Sequence, residues 1–199
     1  GATGTATVKD DGTGTIFKDD GTNDSTATRD DDRPLAVNNI TVNEGSPYAV
    51  FEVTGAANQL AALSLANGTT SGITGLQYFN GTSWVTYTSG TVALDASGKL
   101  LVRTALSPEQ EATLDTGETF TLTATNTGGT GATGTATVKD DGTGTIFKDD
   151  GTNDSTATRD DDRAITVSGL DDVSEGSNAI FTVNLPDGNN RDTEISLSL

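Results

Sequence analysis

The sequence predicts an all-β protein of tandem β-sandwich repeats joined by acidic linkers. Three observations carry that prediction. A 33-residue run, GATGTATVKDDGTGTIFKDDGTNDSTATRDDDR, stands at residues 1–33 and again, unchanged, at residues 131–163. An identical second copy is the signature of a repeat array. Between the copies, short stretches of alternating apolar and polar residues are separated by turns rich in Gly, Asn and Pro. The composition suits a thin two-sheet core, with 32% hydrophobic and 5% aromatic residues, 24 Gly, and frequent Thr and Val.

Taken in order, Ala6-Thr7-Val8 predicts a strand with a small apolar face, and Asp10-Asp11-Gly12 a turn. Residues 1–17 therefore read as the last strand of a preceding repeat. Residues 18–33 read as an acidic linker, whose sixteen residues reach at most about 55 Å when fully extended. Residues 34–147 read as one complete sandwich. Leu35 to Val42 is its first strand, and Glu44-Gly45-Ser46-Pro47 a turn. Tyr48 to Thr54 alternates, with Ala49, Phe51 and Val53 on one face. Leu60 to Ala66 is the third strand. Leu76–Phe79 and Trp84–Thr88 form a hairpin about Asn80-Gly81, a pair that favours positive φ. Val92–Leu94 and Leu100–Leu106 follow. Ser107-Pro108 predicts one helical turn, with Ser as cap and Pro in the first position. Phe120, Leu122 and Ala124 mark another strand, and Thr135 to Lys139 closes the domain. Seven to nine short strands over this length is the pattern of an immunoglobulin-like sandwich. Residues 148–163 repeat the linker. Residues 164–199 open a following, diverged sandwich, in which Val173-Ser174-Glu175-Gly176 parallels Val42-Asn43-Glu44-Gly45.

Charge narrows the function classes. The chain carries 29 acidic against 11 basic residues, a net charge of −18. Such a surface repels nucleic acid and anionic membranes, and no run approaches the ~18 apolar residues of a membrane helix. Neither nucleic acid nor membrane insertion is expected. With no Cys and no His, disulfides, ordinary zinc sites and the usual nucleophile triads are excluded. Paired acids could suggest glycosidase chemistry, but these stand in turns and linkers, so the chain is expected not to be an enzyme. The oxygen-only ligand set suits Ca²⁺, the expected cofactor, and bound metal would staple a sandwich that has no disulfide.

Four short motifs resemble the Calx-beta domain: Val42-Asn43-Glu44-Gly45, Ala49 to Val53, Asp115 to Phe120, and Ala136 to Gly142. Their tandem setting resembles the extender repeats of giant RTX-type bacterial adhesins. That resemblance implies stacked sandwiches holding an adhesive tip away from the cell, with Ca²⁺ stiffening the joints and an extracellular, bacterial cell-surface location. It also implies calcium ligands at Glu44, at Asp115 and Glu118, and at Asp140 and Asp141. Such domains often carry Asp-Tyr after the third strand, where this chain has Gly68-Thr69-Thr70-Ser71-Gly72. One intradomain ion is therefore expected rather than a cluster.

The linkers crowd further acids. Asp19, Asp20, Asp24, Asp30, Asp31 and Asp32 recur as Asp149, Asp150, Asp154, Asp160, Asp161 and Asp162. They read either as a solvated acidic spacer or as junction calcium sites. In the second reading Glu44 would join Asp30–Asp32, and Glu175 would join Asp160–Asp162. Trp84 reads as a cap on the sandwich core, with sugar stacking as the alternative. The expected partners are neighbouring repeats of the same chain. Two other readings stand beside the extender: a subunit of an extracellular filament, sheath or matrix in which residues 1–17 pair with identical chains, and a glycan-binding sandwich using the Tyr78–Trp84 hairpin.

Overall fold

The structure, a computed structural model, describes residues 1–69, 73–107, 117–161, 165–169 and 172–184. The described residues are all-β. In chain order the strands are β1 Ala36–Val37, β2 Ile40–Asn43, β3 Tyr48–Thr54, β4 Leu60–Asn67, β5 Ile73–Phe79, β6 Trp84–Thr86, β7 Val92–Ala93, β8 Lys99–Leu106, β9 Glu118–Asn126, β10 Gly131–Lys139, β11 Thr166–Gly169 and β12 Phe181–Asn184. One sheet runs β1-β3-β8-β5-β6 and the other β2-β10-β9-β4-β7, while β11 and β12 pair apart from both.

The two larger sheets form a β-sandwich because alternation aims their apolar faces at each other. Ala49, Phe51 and Val53 of β3 meet Phe120, Leu122 and Ala124 of β9, and all six are at most 1% exposed. Phe51 and Phe120 touch edge to face at 5.9 Å, the arrangement the ring quadrupoles favour. Ala136 and Val138 of β10 and Ile146 beyond it complete the floor of the core.

The first predicted strand divides in two. Ala36–Val37 pairs with β3 in one sheet, whereas Ile40–Asn43 pairs in parallel with β10 in the other. Between them the Asn38 carboxamide accepts the Glu52 amide at 2.7 Å, and the Asn39 carboxamide accepts the Thr135 amide at 2.8 Å. These two Asn side chains take ladder positions while the backbone crosses between sheets. The Asn80-Gly81 turn forms as expected, with Gly81 at φ 93°. The helical turn expected from Pro108 onward lies outside the described residues.

Residues 1–9 are not a strand, although the identical residues 131–139 are β10. The difference is physical: β10 has β2 on one side and β9 on the other, and a strand exists only through such partners.

Candidate metal sites at the two ends of the sandwich

β10 runs from one end of the sandwich to the other, and the candidate acids collect at both. At the end where β10 finishes, the turn after β2 places Asn43 and Glu44 beside Lys139 and Asp140. The Glu44 amide donates to the Lys139 carbonyl at 3.0 Å. Glu44 and Asp140 are buried, 8% and 2% exposed. Glu118 begins β9 and is the register partner of Val138, so it belongs to this end as well. Asp141 turns outward, accepts hydrogen bonds from the amide and hydroxyl of Thr143, and stands 3.9 Å from the Lys139 ammonium. Asp115 and Asp162 lie outside the described residues.

The node of this end is Asn43, which is fully buried. Its Nδ2 donates to the carbonyls of Lys139, Thr143 and Asp160 at 3.2, 3.0 and 3.0 Å. Its Oδ1 accepts the amides of Gly45 and Asp160 at 3.1 and 2.8 Å. Asn43 thereby ties the second connector, residues 148–161, back onto the sandwich. Nothing in the Val42-Asn43-Glu44-Gly45 motif signals this role for Asn43. The parallel stretch Val173-Ser174-Glu175-Gly176 has Ser174 there, whose hydroxyl cannot make five such bonds.

Trp84 does not cap the core. It leans on Phe79 at 5.4 Å between ring centres and covers Arg103. The Arg103 guanidinium lies 3.8 Å from the centre of Tyr48 and 4.3 Å from that of Trp84. It donates to Gln77 Oε1 at 2.8 Å and to the Asp149 carbonyl at 2.7 Å. The outer edge of Trp84 presses on Gly151, where a Cβ would stand 2.7 Å from the ring, and Gly151 has φ 86°.

At the opposite end, the tail of the first connector docks beside Gln59 and Asn126. The Gln59 and Asn126 carboxamides both donate to the Arg33 carbonyl, at 2.6 and 3.0 Å. Asp31 is 3% exposed and takes two hydrogen bonds from the Arg33 guanidinium, at 2.8 and 2.6 Å. Asp30 and Asp32 are exposed. Asp32 lies beside Asp10, and the hydrogen bond and charge of Asp32 hold the Asp10 carboxyl above its usual range. A cavity of about 440 Å³ opens here, lined among others by Asp11, Arg29, Asn58 and Thr127.

Glu44 and Asp30–Asp32 therefore sit at opposite ends, and the expected pairing of Glu44 with the first connector does not form. The reason is chain direction: Asp30–Asp32 precede β1 at the end where β9 finishes, and Glu44 follows β2 at the end where β10 finishes. Glu44 instead shares its end with Asp140 and Asp160. Glu175 is exposed, in a turn at Glu175-Gly176. Among the described residues no three acids stand close enough to hold a metal ion.

The Arg33 guanidinium holds the Asp31 carboxyl below its usual range. A depressed carboxylate contributes stability that is fully present above its unfolded value, about 3.9, and is lost as pH falls through the folded value. Asp31→Asn is therefore expected to lower the urea midpoint at pH 7, with the difference from wild type closing in acid. A difference that stays constant down to pH 2 would contradict the assignment.

The connectors are folded, and alike in both copies. The Asp24 amide meets the Ile16 carbonyl at 2.8 Å, as Asp154 meets Ile146 at 2.7 Å. The Arg29 Nε donates to the Gly14 carbonyl at 2.7 Å, as Arg159 does to Gly144 at 2.6 Å. Thr22 and Thr26 hydrogen-bond Asp20 and Asp24 and hold both carboxyls below the usual range; Asp150 and Asp154 behave alike. The spacing Asp-Gly-Thr and Asp-Ser-Thr is an Asx-turn signal, and it could have been read from the sequence.

No described helix is long and apolar enough to cross a membrane. No family model and no curated protein matches the chain. Among solved structures, one described as titin M4 in a trigonal form aligns with 54% of this chain and 91% of its own, at 15% identity and a TM-score of 0.23. That likeness is too slight to carry an argument.

Proposed function

We propose that the chain is a structural extender segment of a large secreted bacterial cell-surface adhesin, made of tandem immunoglobulin-like sandwiches stiffened by Ca²⁺ at their ends and connectors. The observation that carries this reading is the placement of the repeated run. Its second copy supplies β10 and folds over the end where β10 finishes, and its first copy fastens Asp31 and Arg33 to the other end. One sequence thus suits both the exit of one sandwich and the entrance of the next. The reading assigns no enzymatic activity.

The calcium part rests on donor chemistry. Both ends offer carboxylates and backbone carbonyls, the hard oxygens Ca²⁺ prefers at ~2.3–2.6 Å. Asp10 and Asp32 already crowd each other, and a divalent cation would relieve that repulsion. The adjoining cavity leaves room for water to complete ~6–8 ligands. Because no three described acids yet converge, binding must draw the connector carboxylates inward. Small-angle scattering on a multi-repeat chain is expected to show a stiffer rod in millimolar Ca²⁺ than in chelator, with NaCl unable to substitute because it screens without templating a site. Profiles that coincide with and without Ca²⁺, or NaCl that reproduces the effect, would refute it. The exposure of residues 1–10 favours a second reading, a filament in which that run pairs between chains. Concentration-dependent growth in mass would separate it from the first.

A further inference from the structure

The two copies of the repeated run share every residue and differ in surroundings, which makes one a control for the other. In the second copy Val138 and Ile146 are 7% exposed and Phe147 packs on the core; in the first, Val8 is 94% and Phe17 66% exposed. The glycines say the same. A Cβ on Gly134 would stand 2.2 Å from the Asn38 carbonyl, on Gly144 2.6 Å from the Asn43 amide, and on Gly151 2.7 Å from Trp84. On Gly4 and Gly21 it would meet nothing within 4 Å, and on Gly14 only Lys9. The first copy therefore carries three glycines suited to close approach with no neighbouring sandwich against them. It also carries the finished fold of the connector, through the same Phe17–Asn23 bridge that the second copy forms between Phe147 and Asn153.

Resting on the tandem reading above, we propose that the outer face of residues 1–29 is a docking surface for the end of a sandwich of the 34–126 build preceding it in the same polypeptide. That sandwich would lack its own last strand and grip the connector with an arginine held between two aromatic rings. Val8 and Ile16 enter its core as Val138 and Ile146 enter this one. Its counterpart of Trp84 closes on Gly21, and its counterpart of Arg103 takes the Asp19 carbonyl as Arg103 takes that of Asp149. Because the connector part of this surface is already folded, docking need order only the segment around Val8 into a strand, which favours a firm joint.

The test places residues 34–130 directly ahead of Gly1 of the full chain, so that Thr130 is followed by the same run as in the native sequence. The chain has no cysteine, so single Val8→Cys and Phe17→Cys variants report cover by their rate of thiol labelling. Val8→Cys is expected to react like a free thiol in the 199-residue chain. In the lengthened chain it should react at least ~100-fold slower, as for a site reached only by local opening, and match Val138→Cys. Arg103→Leu with Trp84→Ala in the added sandwich should then restore fast labelling of Phe17→Cys while Val8→Cys stays covered by strand pairing. Equal Val8→Cys rates in the short and lengthened chains would overturn the docking surface. A Phe17→Cys rate indifferent to the clamp variants would overturn the clamp. Run in chelator, these measurements are independent of the calcium reading, so either proposal can fail without the other.

Discussion

Deleting residues 131–147 is expected to abolish cooperative unfolding of the sandwich. β10 is an inner strand, in parallel register with β2 from Ile40–Ala136 to Asn43–Lys139 and antiparallel to β9 along its length. Its loss would open two strand edges at once and expose the core around Phe120 and Leu122. Phe→Ala substitutions in such cores alone cost about 3–5 kcal/mol, and removal of Ala136, Val138 and Ile146 together with their ladder exceeds that. Typical domains have only about 5–15 kcal/mol to lose. Calorimetry should show no cooperative transition, and the open edges should promote aggregation. A truncated chain that melts cooperatively at the wild-type temperature would refute this account of how the domain closes.

Arg103→Leu is expected to destabilise the sandwich by about 3 kcal/mol. The charge is 7% exposed, stacked between Tyr48 and Trp84, and hydrogen-bonded to Gln77 and to the connector. A desolvated cation–π contact is worth about 2 kcal/mol, and hydrogen bonds to charged groups about 1.5–3 kcal/mol; the apolar packing that leucine keeps offsets part of the sum. At roughly 4 °C per kcal/mol for a domain of this size, the melting temperature should fall by about 12 °C. Arg103→Lys should recover less than half, because an ammonium neither stacks flat between rings nor forks to two acceptors. Full recovery with lysine would reduce the site to a simple charge.

The sandwich was legible because its signals are local and periodic. β3 was read to the residue from Tyr48 to Thr54, and the β5–β6 hairpin from Asn80-Gly81. The division of Leu35–Val42 between two sheets was not legible, since it depends on Asn38 and Asn39 replacing backbone partners far along the chain. The ends of the sandwich were the hardest to read. Acids signal charge but not which end they reach, and so Glu44 was assigned to the wrong connector. Arg103, Gln59 and Asn126, which hold the connectors, carry no motif, and the motif around Asn43 gives no sign of its role there. They matter through backbone carbonyls 26 to 117 positions away, and no spacing rule reaches so far. Only the Asp-x-Thr turns inside the connectors were within reach of sequence reasoning.

The parallel pairing of β2 with β10 has a mechanical consequence. The chain enters β2 at Ile40 and leaves β10 at Lys139, and the two strands run in the same direction side by side. Tension applied to the chain on either side of the sandwich draws β2 back and β10 forward along their common axis. The four register pairs are then loaded together in shear, and must yield together, whereas a hairpin pulled from its open end peels one bond at a time. Asn43, bonded to three carbonyls of the outgoing segment, lies at the point where that load passes from one strand to the other. The sandwich is thus oriented to resist stretching along the chain.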